Sequence, residues 1–168
     1  VCLFYYVWAY LFSVMTVFLV VIIVARTAGS EKISDFAGLG RRSPALALAM
    51  LVGLASLGGL PPLAGFFGKF LVIWSAVYLS PDWMGWGWLA AAAIVATLIG
   101  LGYYLNVVRV MYFEPADDER PLEISWLARV ALVLLVAAIV AMGIFQEPVV
   151  RFLSGEKGAF EVKIEVER

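Results

Sequence analysis

Leu57-Gly58-Gly59-Leu60-Pro61-Pro62-Leu63-Ala64-Gly65-Phe66-Phe67-Gly68-Lys69-Phe70 lies inside an apolar stretch, Pro44 to Leu79, whose only charge is Lys69. As one straight helix that stretch would run about 54 Å, nearly twice the roughly 30 Å hydrocarbon core of a bilayer. It must therefore break. Proline removes backbone donors and glycine weakens a helix. Gly58, Gly59, Pro61, Pro62, Gly65 and Gly68 accordingly mark a break near 58–68. Two arrangements fit: one discontinuous crossing made of two half-helices, or a tight hairpin of two short spans.

The rest of the chain has the same character. Of its 168 residues 15% are charged, well below the roughly 25% of a soluble domain, and mean hydropathy is +0.96. A disordered tail is excluded. With 12 Lys and Arg against 13 Asp and Glu, no basic face exists to track nucleic acid. A lone cysteine, Cys2, excludes a disulfide framework and a cysteine metal site. The absence of histidine removes the commonest general base and metal ligand. The fold class is all-α: a polytopic transmembrane helix bundle with one discontinuous helix.

A membrane domain is expected over 1–147, with spans at about 1–25, 44–79 (broken near 58–68), 83–112 and 126–146. A polar tail follows over 148–168. Val1 to Ala25 carries no charge and is too long and too lacking in basic residues to be a signal peptide. The chain opens on Val1 inside an apolar helix, which reads as part of a longer polypeptide. Thr27 to Arg42 is a polar loop with an interfacial turn around Ile33 to Leu39. Ser43-Pro44 restarts a helix, with Ser as N-cap and Pro at the first position. Ser80-Pro81-Asp82 is another cap, and Trp83, Trp86 and Trp88 form an aromatic belt. Arg109 and Arg129 can snorkel, and Ser125 caps the last span.

Charge placement leaves the two arrangements open. A single crossing puts seven cations on one side (Arg26, Lys32, Arg41, Arg42, Arg109, Arg120, Arg129) and four on the other (Arg151, Lys157, Lys163, Arg168). The hairpin divides them eight to three. In the first case the richer side is cytoplasmic.

Lys69 is the candidate functional residue. A cation at mid-membrane costs about 2.5–3.5 kcal/mol on insertion scales. Irregular backbone at that depth is tolerated only where protein covers it or water fills it. Lys69 is expected at the start of a half-helix, where burial and the positive end of the dipole both disfavour an ammonium. Such an amine suits a proton relay. The alternative is a shallow lysine that snorkels to a headgroup. No acid lies at its depth, since Asp82 and Glu114 are at span ends, so its partners are expected to be water or groups outside this chain. Gly65 to Lys69 is not a phosphate loop, because the spacing and the following Ser/Thr are missing. Tyr103, Tyr104 and Asn106 contribute to a polar path or anchor the interface, with anchoring favoured for the tyrosines. Ser13, Thr16, Ser56, Ser75 and Thr97 mostly bond their own helix backbone, although Ser56 and Ser75 flank the break and can hold water.

The Leu57 to Phe70 run resembles the motif of the antiporter-like membrane subunits, subunit N (subunit 2) type, of proton-pumping NADH:quinone oxidoreductase, complex I, and its photosynthetic relatives. Tyr5 to Ala25 resembles the family's eleventh helix. Asp35-Phe36-Ala37-Gly38-Leu39 resembles its loop, and Pro44 to Leu79 its discontinuous twelfth helix. Tyr103-Tyr104-Leu105-Asn106-Val107-Val108-Arg109 is similar to the end of the thirteenth, with Asn106 where members often carry Arg. The last span would be the fourteenth.

The resemblance implies a 14-helix subunit of a translocase with a polar midplane axis. Lys69 matches the lysine of the twelfth helix, and one discontinuous crossing is favoured over the hairpin. The implied partners are other membrane-arm subunits, the subunit's remaining N-terminal helices and lipid, with no nucleic acid. The resemblance implies no cofactor and no metal in this chain, with NAD, flavin, iron–sulfur clusters and quinone elsewhere in the complex. It implies a multi-pass protein of a bacterial inner membrane or an energy-transducing organelle membrane. A multisubunit sodium/proton antiporter and a purely structural membrane-arm piece are the competing functions.

Overall fold

The computed structural model describes residues 2–28, 32–78, 83–115, 122, 124–146 and 148, with backbone alone at 28, 75–78 and 83–86. The elements are α1 (Cys2–Ala28), a 3-10 turn (Ile33–Phe36), α2 (Leu39–Arg42), α3 (Pro44–Gly58), α4 (Ala64–Tyr78), α5 (Trp83–Phe113) and α6 (Trp126–Ile144). By length and composition α1, α6 and the Gly87–Phe113 part of α5 can each cross a membrane. At 15 residues each, α3 and α4 are only about 22 Å long and cannot cross alone.

The packing decides between hairpin and single crossing. Leu46 and Met50 share a core with Val20 and Val24 of α1. Gly53 faces Val17 and Ser13, Ser56 meets Ser13, Ala64 packs with Tyr5 and Ala9, and Gly68 lies against Tyr6. Residue numbers rise through α3 and α4 as they fall along α1. The two half-helices therefore continue in one direction, antiparallel to α1, as a single discontinuous crossing. On α5, Thr97 lies beside Lys69, Leu101 beside Gly58 and Tyr112 beside Gly40, so this helix runs back the other way. On α6, Leu132 joins the Val20 core, and Ile139 and Met142 join Tyr5, which makes α6 parallel to α3 and α4.

This up-and-down order brings the α1–α3 and α5–α6 connections to one end, where Gly40 meets Tyr112 and Phe36, Leu39 and Met111 share the core. Arg26, Lys32, Arg41, Arg42, Arg109 and Arg129 belong to that end. Arg120, Arg151, Lys157, Lys163, Arg168, the Ser80-Pro81-Asp82 cap, the Trp83 and Trp86 side chains and the tail beyond 148 lie outside the described residues. Trp88 is exposed. Ser125 accepts a hydrogen bond from the Ala128 N–H at 3.3 Å and so caps α6. Ser43 occupies the α3 N-cap position without a side-chain capping bond. Its N–H instead donates to the Leu39 carbonyl, which joins α2 tightly to α3.

The break is narrower than the glycine pattern suggests. It covers 59–63, and Gly65 and Gly68 lie within α4. The α3 end is closed by Leu60 N–H to Ala55 and Gly59 N–H to Ser56, the paired bonds of a Schellman cap. Gly59 is left-handed, φ 74°. Leu63 N–H then donates to Leu60 across two prolines joined by a cis peptide bond. An L side chain in the left-handed region costs about 1–2 kcal/mol. Gly59→Ala is therefore expected to lower the thermal midpoint of the detergent-purified protein, and an unchanged midpoint would refute the cap.

Candidate functional site

Lys69 is half-buried in the second turn of α4, five residues after Ala64. That is a correction to the half-helix start expected from sequence. The dipole's influence fades within the first turn, so the lysine's surroundings are set by what it touches. Its Nζ donates to the Leu57 carbonyl at 2.8 Å and approaches Thr97 Oγ1 at 3.5 Å. Leu57 is among the last residues of α3, whose terminal carbonyls have no partner within the helix. A cation there is also favoured by the negative end of the α3 dipole. The expectation that the amine's partners lie outside this chain is thus overturned. The acceptor is a backbone group freed by the break itself. Thr97 donates its own hydroxyl to Ala93 at 2.8 Å, which leaves oxygen lone pairs to face the ammonium.

Two cavities meet at Lys69. One, about 370 Å³, is lined by Tyr6, Lys69, Thr97 and Tyr104 among apolar neighbours. The other, about 350 Å³, shares Lys69, Ile73 and Thr97, but its remaining lining is Gly59, Phe66, Phe70, Ile94 and Leu98.

The remaining candidates separate. Ser56 is fully buried. Its Oγ lies 2.8 Å from Ser13 Oγ and accepts the Gly65 N–H at 3.1 Å. It thus ties α1, α3 and α4 together with protein partners. Ser13 and Thr16 also donate to their own helix, at Ala9 and Phe12. Tyr103 is 73% exposed and Asn106 is exposed, whereas Tyr104 turns into the first cavity. The Ser75 side chain lies outside the described residues. Gly65 and Gly68 are contact points: an added Cβ would overlap the Ser56 carbonyl oxygen at the first and lie 3.1 Å from Tyr6 Cα at the second.

Sequence reasoning missed Tyr5, Tyr6 and Gly143. The Tyr5 hydroxyl donates to the Met142 carbonyl. At Gly143 a Cβ would overlap the Pro62 carbonyl oxygen and lie 2.9 Å from Ala64 N. The available signal was weak, because α6 also holds five alanines and Gly143 is one small residue among several. Among the described residues no three His, Cys, Asp or Glu side chains converge where an ion could sit.

An all-helical bundle with one broken crossing and a lysine beside the break defines a polytopic integral membrane protein. The family model for the transmembrane region of NADH:quinone oxidoreductases and Mrp antiporters matches residues 2–100. The chain belongs to this NADH:quinone oxidoreductase/Mrp antiporter family. It is 41% identical over 152 residues to NADH-quinone oxidoreductase subunit N 2 of Acidobacterium capsulatum, covering 90% of this chain and 30% of the relative. It is 36% identical over 149 residues to subunit N of Moorella thermoacetica, covering 88% and 30%. It superimposes on a chain of respiratory complex I from Thermus thermophilus, solved with bound aureothin. The TM-score is 0.59 and the identity 27%, with 84% of this chain and 35% of that one covered. The chain thus spans about 30% of the length of the curated relatives it matches.

Proposed function

We propose that this chain is part of the proton-translocating membrane arm of an NADH:quinone oxidoreductase, and that Lys69 takes up and releases the transferred proton. The observation that carries the reading is a lysine beside a break in a membrane crossing, bonded to a carbonyl that the break frees and bordered by two cavities. An amine in such a setting can lose and regain a proton without leaving a bare charge in hydrocarbon. The cation-rich end faces the cytoplasm in this reading. Partners are the other membrane-arm subunits, further helices of the same subunit and lipid. Redox cofactors and quinone belong elsewhere in the complex.

The family also contains antiporter subunits, but relatives at 41% and 36% identity carry the oxidoreductase name, which favours the first function. Isolation of the assembly from its native membrane tests it. The expected result is co-isolated redox subunits and NADH-driven quinone reduction that acidifies one side of reconstituted vesicles. Sodium/proton exchange without redox subunits would overturn the assignment. The hydrogen bond to Leu57 also supports a second reading, in which Lys69 only clamps α3 to α4. Arginine at this position separates the two, because it keeps a donor but holds its proton.

A further inference from the structure

The two cavities at Lys69 differ in chemistry. Phe66, Phe70 and Trp74 stack along one side of α4, and the 350 Å³ cavity on that side has no polar side chain besides Lys69 and Thr97. The 370 Å³ cavity adds two phenols, Tyr6 from α1 and Tyr104 from α5. Both cavities are open clefts rather than sealed voids, and a water held in place against such a wall needs two to four polar partners. Only the 370 Å³ lining offers hydroxyls from two helices, α1 and α5, around the amine.

The placement of the phenols is built into the broken motif. Gly68, next to Lys69, brings the Tyr6 backbone and ring so close that an added Cβ would stand 3.1 Å from Tyr6 Cα and 3.3 Å from Cδ2. Gly58, next to Leu57, leaves room for Leu101 and Tyr104, whose Cδ2 would be 3.6 Å from an added Cβ. One glycine therefore seats a tyrosine beside the donor of the Lys69–Leu57 bond. The other seats a tyrosine beside its acceptor.

We propose that Tyr6 and Tyr104, with Thr97, form a hydrated hydroxyl pocket through which Lys69 exchanges its proton. The inference rests on the relay reading of Lys69. The ammonium gives its proton to a pocket water, which hands it on along the chain as an excess proton. The neutral amine is reprotonated by a second water that carries an excess proton arriving from the other side, so each water ends unchanged. Each phenol donates one hydrogen bond and accepts another along the water chain and ends unchanged. Tyr6 and Tyr104 are positioning residues for that water.

The test uses the intact, membrane-reconstituted complex with four variants: Tyr6→Phe/Tyr104→Phe, Tyr104→Phe alone, Lys69→Ala, and Tyr112→Phe. Tyr112 is on the far end of α5, against Gly40. Phenylalanine keeps the ring packing and removes only the hydroxyls. The double variant is expected to slow proton translocation by about threefold to tenfold. This is less than the roughly 10²–10⁴ of a positioned acid–base group, since water can bridge part of the gap. Its solvent deuterium isotope effect should rise, a readout that looser packing would leave alone. Tyr112→Phe should match the parent. If the double variant does not assemble, Tyr104→Phe gives the same readout. Full translocation with an unchanged isotope effect in the tyrosine variants, while Lys69→Ala is impaired, would overturn the pocket and leave the relay standing. Full translocation by Lys69→Ala would overturn both.

Discussion

Lys69→Ala in the assembled complex is expected to lower coupled proton translocation by about 10²-fold or more, the contribution of a positioned proton-transfer group. It should also leave the Leu57 carbonyl, now bonded at 2.8 Å, without its donor. A fully unsatisfied buried acceptor costs about 1–3 kcal/mol, but Leu57 lines the pocket and water there can replace part of the lost bond, so the alanine variant should assemble and unfold at a modestly lower temperature. Lys69→Arg divides these effects. Guanidinium can still donate to Leu57, so thermal stability should recover, while pumping recovers only in part because arginine does not readily lose its proton. Lys69→Met keeps much of the stem and removes both proton and donor. Translocation measured in proteoliposomes decides: full-rate pumping by Lys69→Met would defeat the relay role and leave the clamp.

The second large effect is steric. Gly65→Ala would place a methyl group on the Ser56 carbonyl oxygen, 2.7 Å from the carbonyl carbon and 3.0 Å from Oγ. Gly143→Ala would do the same against Pro62 and Ala64. Both obstacles are backbone, which cannot swing aside as a flexible side chain does. Overpacking typically costs about 1–3 kcal/mol, and occasionally more. Here the half-helices or α6 must separate, which also pulls Lys69 away from Leu57. Each variant is expected to reduce sharply the amount of chain recovered in assembled complex. Gly102→Ala, with nothing within 4 Å of its added Cβ, should assemble normally. Parental recovery of Gly65→Ala would refute the close approach of α4 to α3.

The helical class and the broken crossing were legible because they rest on counts: uncharged length against bilayer thickness, and Gly and Pro in the one stretch too long to cross once. The presence of Lys69 in that crossing was legible for the same reason, but its place in the second turn of α4 was not, because the gap ends at Leu63 and the glycines beyond it are helical. Nor was the acceptor of Lys69, because Leu57 contributes a carbonyl that every residue has, and only the Schellman end of α3 makes that carbonyl available. Gly65 and Gly68 were read as helix breakers because composition cannot tell a glycine that ends a helix from one that admits a neighbour. Tyr103 and Tyr104 looked equivalent in sequence. Adjacent helical positions are about 100° apart, so one faces outward and the other enters the cavity. Tyr6 was overlooked because its role depends on Gly68, sixty-two positions away in sequence.

The alignment of α3 and α4 along α1 also constrains motion. A gap at two prolines would ordinarily act as a hinge. Here α1 bridges the gap as a splint: Gly53 and Ser56 seat on it before the gap, and Ala64 and Gly68 after it. Gly143 of α6 braces the gap from another side. Packed backbones of this kind resist continuous bending. The moving part during a proton-transfer cycle should then be the four-carbon Lys69 side chain, turning between fixed carbonyl, hydroxyl and water, inside a frame whose helices stay still.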